Sequence, residues 1–378
     1  MLPVAIVGGG PVGLSLALML HGDGIDCAVL DARPAGAGHD DRRVLALSHG
    51  SRQILERLGV WGTIGATPIS TIHVSQQGRF GRTLIRAGEA VVPALGYVAE
   101  AGSVAAALAH ACADAGVVLR HETRVGGSEI GVDRVRLHCV SPRGSEAVPA
   151  QLVAWAEGAV SAEHGIVRRD YGQQAIVASV MAREPAAGVA YERFTADGPV
   201  ALLPQGNRHA LVWTVPAAAT AALSALDDSA FLARLGALFS GRFEFTAAGA
   251  RAAFPLGLRY RETPVAERAV WLGNAAQTLH PVAGQGFNLA LRDVAQLARL
   301  LARRPTDCGS AELLAGHAAA RRLDRRGAIG VTDGLVRIFG VRNALAEHAR
   351  GAGLLALDLL PTARRFLAQR MIFGARGW

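Results

Sequence analysis

Lysine is missing from this 378-residue chain, so all 39 residues counted as Lys or Arg are arginine. That bias carries no functional reading. Aromatic residues make up only 5% of the sequence, whereas glycine fills 45 positions and about half the residues are apolar. Such a composition favours an α/β enzyme with closely packed helices over a binding module. The four cysteines, Cys27, Cys112, Cys139 and Cys308, are scattered and form no C-x-x-C pair. Neither a disulfide framework nor a metal site is expected, and a reducing cytoplasm is the simplest compartment. No uninterrupted apolar run is long enough to span a bilayer. Residues 1–10 are apolar, but they lack a basic n-region and flow straight into a glycine turn. They are expected to form a buried strand, not a signal peptide.

The length allows one large domain or two interleaved ones. The net charge of +8 is unevenly placed: eleven arginines between residues 321 and 378 stand against Asp324, Asp333, Glu347 and Asp358, a local +7. Either this is a solvated helical surface or it meets anionic lipid. A nucleic-acid groove is not expected, because the arginines are not interleaved with aromatics.

The most specific local signal starts at Pro3: PVAIVGGGPVGLSLALMLHGDGIDCAVLDAR. It predicts a buried strand over residues 4–7, the turn Gly8-x-Gly10-x-x-Gly13, a helix, and a second strand over residues 25–30 closed by Asp31. Gly8 allows the tight turn, Gly10 leaves room for a pyrophosphate, and Gly13 lets the helix lie against the strand. The helix N-terminus offers free N–H groups and a positive dipole to phosphate. Asp31 falls where a carboxylate accepts ribose hydroxyls. FAD and NAD both fit this signal.

Further on, residues 39–61 are predicted as a loop running into an amphipathic helix. Arg42 and Arg43 precede that helix, as a solvated turn or as a clamp on phosphate or flavin. A helix is expected over residues 98–115, and short strands near 117–120, 132–140 and 152–156. Residues 176–182, 189–195, 200–203 and 209–215 alternate as antiparallel strands, with no helix before about Ser224. A second glycine-rich turn, GNAAQTLHPVAGQGFNLALRD at residues 273–293, opens a helix with Leu289, Leu297 and Leu300 on its buried face.

The stretches RRVLALSHGS, YERFTADGPVALLP, GNAAQTLHPVAGQGFNL and IGVTDGLVRIF, together with the first glycine motif, resemble the FAD-dependent aromatic hydroxylases of the p-hydroxybenzoate hydroxylase class. Within it the likeness is to the ubiquinone-biosynthesis hydroxylases, most of all the octaprenyl-methoxyphenol hydroxylase (UbiH) branch. The resemblance runs the length of the chain. It implies a Rossmann-like α/β fold binding FAD (residues 1–70, 97–175 and 265–320), an interleaved antiparallel β-sheet substrate domain (71–96 and 176–264) and a helical C-terminal region (321–378).

Carried over position by position, the resemblance makes Gly8, Gly10, Gly13, Asp31, Arg43 and the backbone of Val125 contacts of FAD. Glu157, in AWAEGAVS, replaces the family's usual aspartate, and Asn274 replaces the third motif's acid at the ribityl chain. Pro281, Gly284, Gly286 and Asn288 would border the flavin ring, with Asn288 bonding the ring or holding the turn. His280 lines the substrate pocket or is a satisfied core histidine. The implied reaction uses NAD(P)H and O₂, through a flavin hydroperoxide, to hydroxylate a polyprenyl phenol in an apolar tunnel. One FAD would thereby explain two glycine turns far apart in sequence. The tail, with Arg364, Arg365, Arg370 and Arg376, either touches the inner face of the cytoplasmic membrane or packs on the body. A hydroxylase of a soluble aromatic, and a non-catalytic flavin-bound subunit of a quinone-synthesis complex, are the alternatives.

Overall fold

The computed structural model describes residues 1–158, 165–184, 186–303, 305–341 and 343–375. Its parallel sheet is built on the strand Leu2–Val7, which pairs in parallel with Cys27–Leu30 on one side and with the end of Gly144–Trp155 on the other. Val118–Arg120 and Ala269–Trp271 extend it at the two edges, also in parallel. Alternation decides which core each residue joins. Val4 and Ile6 point into a layer of helices that holds Pro11–Gly22, Ala101–Asp114 and Gln285–Leu301. Ala5 and Val7 point to the opposite face, covered by the hairpin of Val135–Ser141 and Gly144–Trp155. The four cysteines are free and buried.

The second sheet is largely antiparallel. Its spine is the strand order 252–261, 166–182, 208–216, 199–205, 189–194, 71–76, 82–86, in which only 189–194 and 71–76 run parallel. One face carries Val200, Leu202, Leu211, Trp213 and Val215 against the helix Asp228–Leu238. The alternate residues of the same strands, Ala201, Leu203, Val212 and Thr214, face a cavity on the other side. The helices Ala311–Gly340, Ala344–Leu359 and Pro361–Phe373 roof that cavity.

Several local expectations change once strands find partners. Residues 44–48 form a strand, not a loop, because Val44–Ser48 pairs with Gly96–Glu100. The same pairing takes residues 98 and 99 out of the predicted helix, which begins at Ala101. A helix Ala217–Ser224 precedes the predicted helical segment. The boundary expected at residue 175 lies inside the continuous strand Ile166–Ala182. On the second glycine-turn helix Leu289 and Leu297 are fully buried as expected, but Leu300 is only half-buried and Leu301 takes the buried position beside it.

A buried ionic chain ties the roof to the rest. Asp324 accepts hydrogen bonds from Arg292 (2.7 Å) and Arg321 (2.6 Å), and its other oxygen accepts one from the Ala375 backbone N–H (3.0 Å). Asp293 accepts from Arg321 (2.6 Å) and from Gln277 (3.0 Å), and Gln277 in turn accepts from Arg325 (2.8 Å). Burial opposes ionisation of Asp324, but Arg292 and Arg321 outweigh it and hold the carboxyl below its ordinary range. Removing one member strands its buried partners, at a cost of about 3–5 kcal/mol. Asp324→Ala is therefore expected to lower the urea midpoint sharply. Because the folded value is lowered, Asp324's contribution in the wild type is complete above about pH 4, the ordinary carboxyl range. It is lost as the pH falls through the folded value, so the stability gap between wild type and Asp324→Ala should narrow in acid.

Candidate active site

The first glycine motif sits at the carboxyl end of the parallel strands, where open α/β sheets place ligands. Gly8 has φ +111°, and a Cβ there would lie 2.7 Å from the Ala156 carbonyl oxygen. A Cβ on Gly13 would meet the Gly8 oxygen at 2.0 Å, so this helix can approach its strand only with glycine. Gly10 differs: nothing lies within 4 Å of its Cβ position, and the helix it caps receives no side-chain cap. The uncapped N–H groups and the open space above them form a seat for an anion, as phosphate binding requires.

Around this seat the sheet gathers the other predicted residues. Asp31 Oδ2 accepts the Gly9 N–H at 2.9 Å, and both its oxygens take hydrogen bonds from the Arg33 side chain. Burial works against the Asp31 charge, yet the bonds from Arg33 and Gly9 keep the carboxyl below its usual range. The Asp31 carbonyl accepts the Thr123 N–H at 2.8 Å, which brings the strand bearing Val125 beside it. Glu157 is exposed at the end of the neighbouring strand. Partial burial of its carboxyl raises its pKa, Arg124 opposes that, and the Asp31 charge reinforces it. Arg43 lies apart, exposed, paired with Asp41 at 2.5 Å and set over the Phe254 ring.

The second glycine turn comes back to the first. Gly273 adopts φ +59° with its Cβ position 2.9 Å from Val12 of the first helix, and Asn274 follows it on the surface. Gly284, at φ +58°, caps the helix Gln285–Leu301 without a side-chain cap, and its Cβ position is 2.9 Å from Ala46. Gly286 faces open space. The two uncapped helix ends are thus linked by the close approach of Gly273 to Val12.

Asn288 holds the second turn. Its amide nitrogen donates to the Ala46 and Gly284 carbonyls, both at 2.8 Å. Its oxygen accepts from the Ser48 N–H (2.8 Å) and the Ser51 hydroxyl (2.7 Å). An amide side chain has two donors and one two-fold acceptor, so its capacity is filled. Of the two roles open in the sequence, this geometry is that of a clamp on the turn. Of the two roles open for His280, the arrangement is that of a core histidine: it is buried and absent from the described cavity lining, whereas Pro281 after it is part of that lining. His280 Nδ1 accepts the Val282 N–H at 3.1 Å, its Nε2 has no partner among the described residues, and Tyr171 meets it edge-on. Burial pushes its pKa down to about 4, so the ring is neutral.

The cavity beyond Pro281 encloses ≈ 330 Å³. Its floor is the inner face of the second sheet, its roof the C-terminal helices, and its end wall Ala46–Ser48 with Pro281–Gln285. The lining is overwhelmingly aliphatic and aromatic, with Phe194 stacked on Phe339 of the roof. Two residues here escaped the sequence reading. Arg33 covers Asp31, and Glu192 stands on the cavity face of its strand. The signal for Glu192 was an acid at the inward position of an alternating strand, between Ala190 and Phe194.

The tail divides its arginines. Arg364 turns inward to Glu89 at 2.6 Å, which removes it from any outer basic face, and Arg365 donates to the Glu89 carbonyl at 2.8 Å. Leu367 and Met371 line the cavity half-buried, and Phe373 packs nearby, so this helix is docked on the body. Leu359 (68% exposed) and Phe366 (70% exposed) nevertheless face outward. Arg376 lies outside the described residues. Among the described residues no helix is long and apolar enough to cross a membrane.

An uncapped glycine turn on the parallel sheet, a second uncapped glycine turn returning toward it, and an apolar chamber bordered by that second turn match a flavin-dependent monooxygenase architecture. The family model for the FAD binding domain matches residues 1–329, and the chain belongs to that family. It belongs, more narrowly, with the ubiquinone-biosynthesis hydroxylases. It is 35% identical to ubiquinone hydroxylase UbiL of Rhodospirillum rubrum, covering 97% of this chain and 89% of that one. It is 34% identical to the 3-demethoxyubiquinol 3-hydroxylase of Escherichia coli K12, over 79% of each chain. Among solved structures, the p-nitrophenol 4-monooxygenase PnpA of Pseudomonas putida DLL-E4 shares the fold with a TM-score of 0.81 at 16% identity, covering 100% and 99% of the two chains.

Truncating Asn288 to alanine leaves two buried donors and two carbonyls without their partner. Each orphaned group costs about 1–3 kcal/mol less any rescue by water. Asn288→Ala should lose roughly 2–4 kcal/mol in urea unfolding, whereas exposed Asn274→Ala should unfold like the wild type.

Proposed function

We propose that this chain hydroxylates the aromatic ring of a polyprenyl phenol in ubiquinone biosynthesis, with FAD, a nicotinamide donor and O₂. The observation that carries the reading is the continuity of the site: the apolar cavity ends on the same Pro281–Gln285 turn that the uncapped second helix presents. FAD would lie with its diphosphate on the Gly8–Gly13 turn, its adenosine near Asp31, Val125 and Glu157, its ribityl chain near Asn274, and its ring along Pro281, Gly284 and Gly286. The open Cβ positions at Gly10 and Gly286 fit such a ligand. Asp31 would meet a ribose with one oxygen already steadied by Gly9, and Arg33 would yield part of its hold.

When bound, the flavin supplies reduction by the nicotinamide and activation of O₂ for transfer to the ring. The chain's own work is positional. Asn288 keeps the turn rigid, the helix Gln285–Leu301 aims its positive end at the ring and favours negative charge there, and the aliphatic walls exclude water from the reacting space. The cavity's length of apolar wall suits a prenyl chain better than a small soluble aromatic.

Two tests address this reading directly. The Cβ of Gly10→Val would have no protein atom within 4 Å, so the protein without flavin should unfold close to the wild type. The same protein should be purified without the flavin absorbance near 450 nm; full retention of flavin would refute the diphosphate placement. A deletion strain should accumulate a quinone intermediate lacking one ring hydroxyl, cleared when the gene is restored. An unchanged quinone profile would overturn the biosynthetic role.

A prenyl substrate resides in lipid, so the outward Leu359, Leu360 and Phe366, beside exposed Arg365, are proposed as a peripheral contact with an anionic inner membrane face. Burying one such phenyl ring contributes about 1.5–3 kcal/mol. Phe366→Asp should accordingly weaken co-sedimentation with phosphatidylglycerol vesicles by roughly tenfold or more. Unchanged sedimentation would remove this helix from the contact.

A further inference from the structure

Glu192 is the one acidic or basic side chain among the described residues that line the cavity. Its strand, Val189–Phe194, pairs it with Ala201 on one neighbour and Val74 on the other, both also on the cavity face. Alternation leaves no doubt about direction. Tyr191 packs against Phe239 and Phe243, and Arg193 lies over Phe239, so the odd positions point to the opposite core. Ala190 and Phe194 flank Glu192 on the inner face. The carboxyl has no hydrogen bond or ion pair to any described residue. The residue is partly exposed, toward the cavity that it lines.

Several of the other polar groups that line the cavity are already engaged. Thr83 donates to the Leu354 carbonyl, Gln285 to the Met371 carbonyl, and Ser48 with Asn288 form the clamp. An unpaired carboxylate in apolar surroundings is costly, and the usual outcome is neutralisation. Burial alone pushes the Glu192 carboxyl up to about 7. A leucine would fill the same place without that penalty. The group is instead held ready, without a partner, in a chamber otherwise built for hydrocarbon.

We propose that Glu192 determines specificity in this cavity by accepting a hydrogen bond from the ring hydroxyl of an entering phenol. The inference rests on the phenol-hydroxylase reading and adds the residue that would recognise the phenol. Glu192 in its ionised form accepts the O–H, and the electron density of the phenol oxygen shifts toward the ring. A proton transferred fully would move from the phenol oxygen to a Glu192 oxygen, leaving the bonding pair on the phenolate. The apolar walls take the prenyl chain, and the single acceptor sets which way round the head enters.

The test uses the flavin-loaded protein, 2-geranylphenol, and its methyl ether, which keeps the shape but lacks the O–H. Binding is read by calorimetry and hydroxylation by product analysis. Wild type should bind the phenol about 10- to 100-fold more tightly than the ether, the range of one hydrogen bond to a charged acceptor. Glu192→Leu should bind the two equally while folding at least as stably, and Glu192→Gln, which retains an acceptor, should keep part of the preference. Equal binding of phenol and ether by the wild type would overturn the proposal. So would an undiminished preference in Glu192→Leu, or no binding of either compound. A preference lost in Glu192→Leu without any hydroxylation by the wild type would support Glu192 as the recognition group and count against the hydroxylase reading instead.

Discussion

The amide of Asn288 is the joint on which the site depends. It bonds the second glycine turn to the strand Val44–Ser48 through two carbonyls, a backbone N–H and a hydroxyl. That strand belongs to a small sheet with Gly96–Glu100 and Thr67–Ile69. The turn therefore cannot shift relative to the cavity's end wall without breaking a fully used hydrogen-bonding group. Buried in this way, an amide is worth most when every partner is present. Rigid placement of Gly284 and Pro281 follows, and with it the border between the groove and the apolar chamber.

The roof is attached by different physics. Arg292 and Asp293 on the glycine-turn helix pair with Asp324 and Arg321 on the long helix that follows. Such a buried ionic chain adds little net stability over apolar packing, but it is intolerant of a missing member. It also reaches the backbone of Ala375, just beyond the last helix. The helix that lines the cavity with Leu367 and Met371 is thus held at one end by Asp324 and near the other by the Arg364–Glu89 pair. Charge that looked in the sequence like an outward basic surface is partly internal fastening.

Much of the groove was legible. The strand–turn–helix of residues 2–22 is written in local chemistry: an apolar run, glycines at fixed offsets and Pro11 at the first helical position. The antiparallel strands from 189 to 216 were legible too, because apolar residues recur at alternate positions and turn residues separate the runs. The strand Val44–Ser48 was not, since it is supported by pairing with residues some fifty positions later and by Asn288 far along the chain. His280 likewise looked the same in sequence whether it faced the cavity or the core. The Glu192 signal was present in YERF but had no meaning until the opposite face of the strand was seen to be covered.

The sequence by itself determined the local units: which segments could be strands or helices, where glycine was obligatory, and that a dinucleotide could rest on the first turn. Those depend on backbone sterics and periodicity, which act between near neighbours. Tertiary structure decided that Gly273 of the second glycine turn returns to Val12 of the first helix, that Asn288 fastens the second turn, that the C-terminal helices close a chamber, and that Glu192 is the one acidic or basic side chain among the described residues lining it. These are contacts between residues as many as 276 positions apart. No local preference encodes them, because each depends on which surfaces remain to be buried once the sheets have formed.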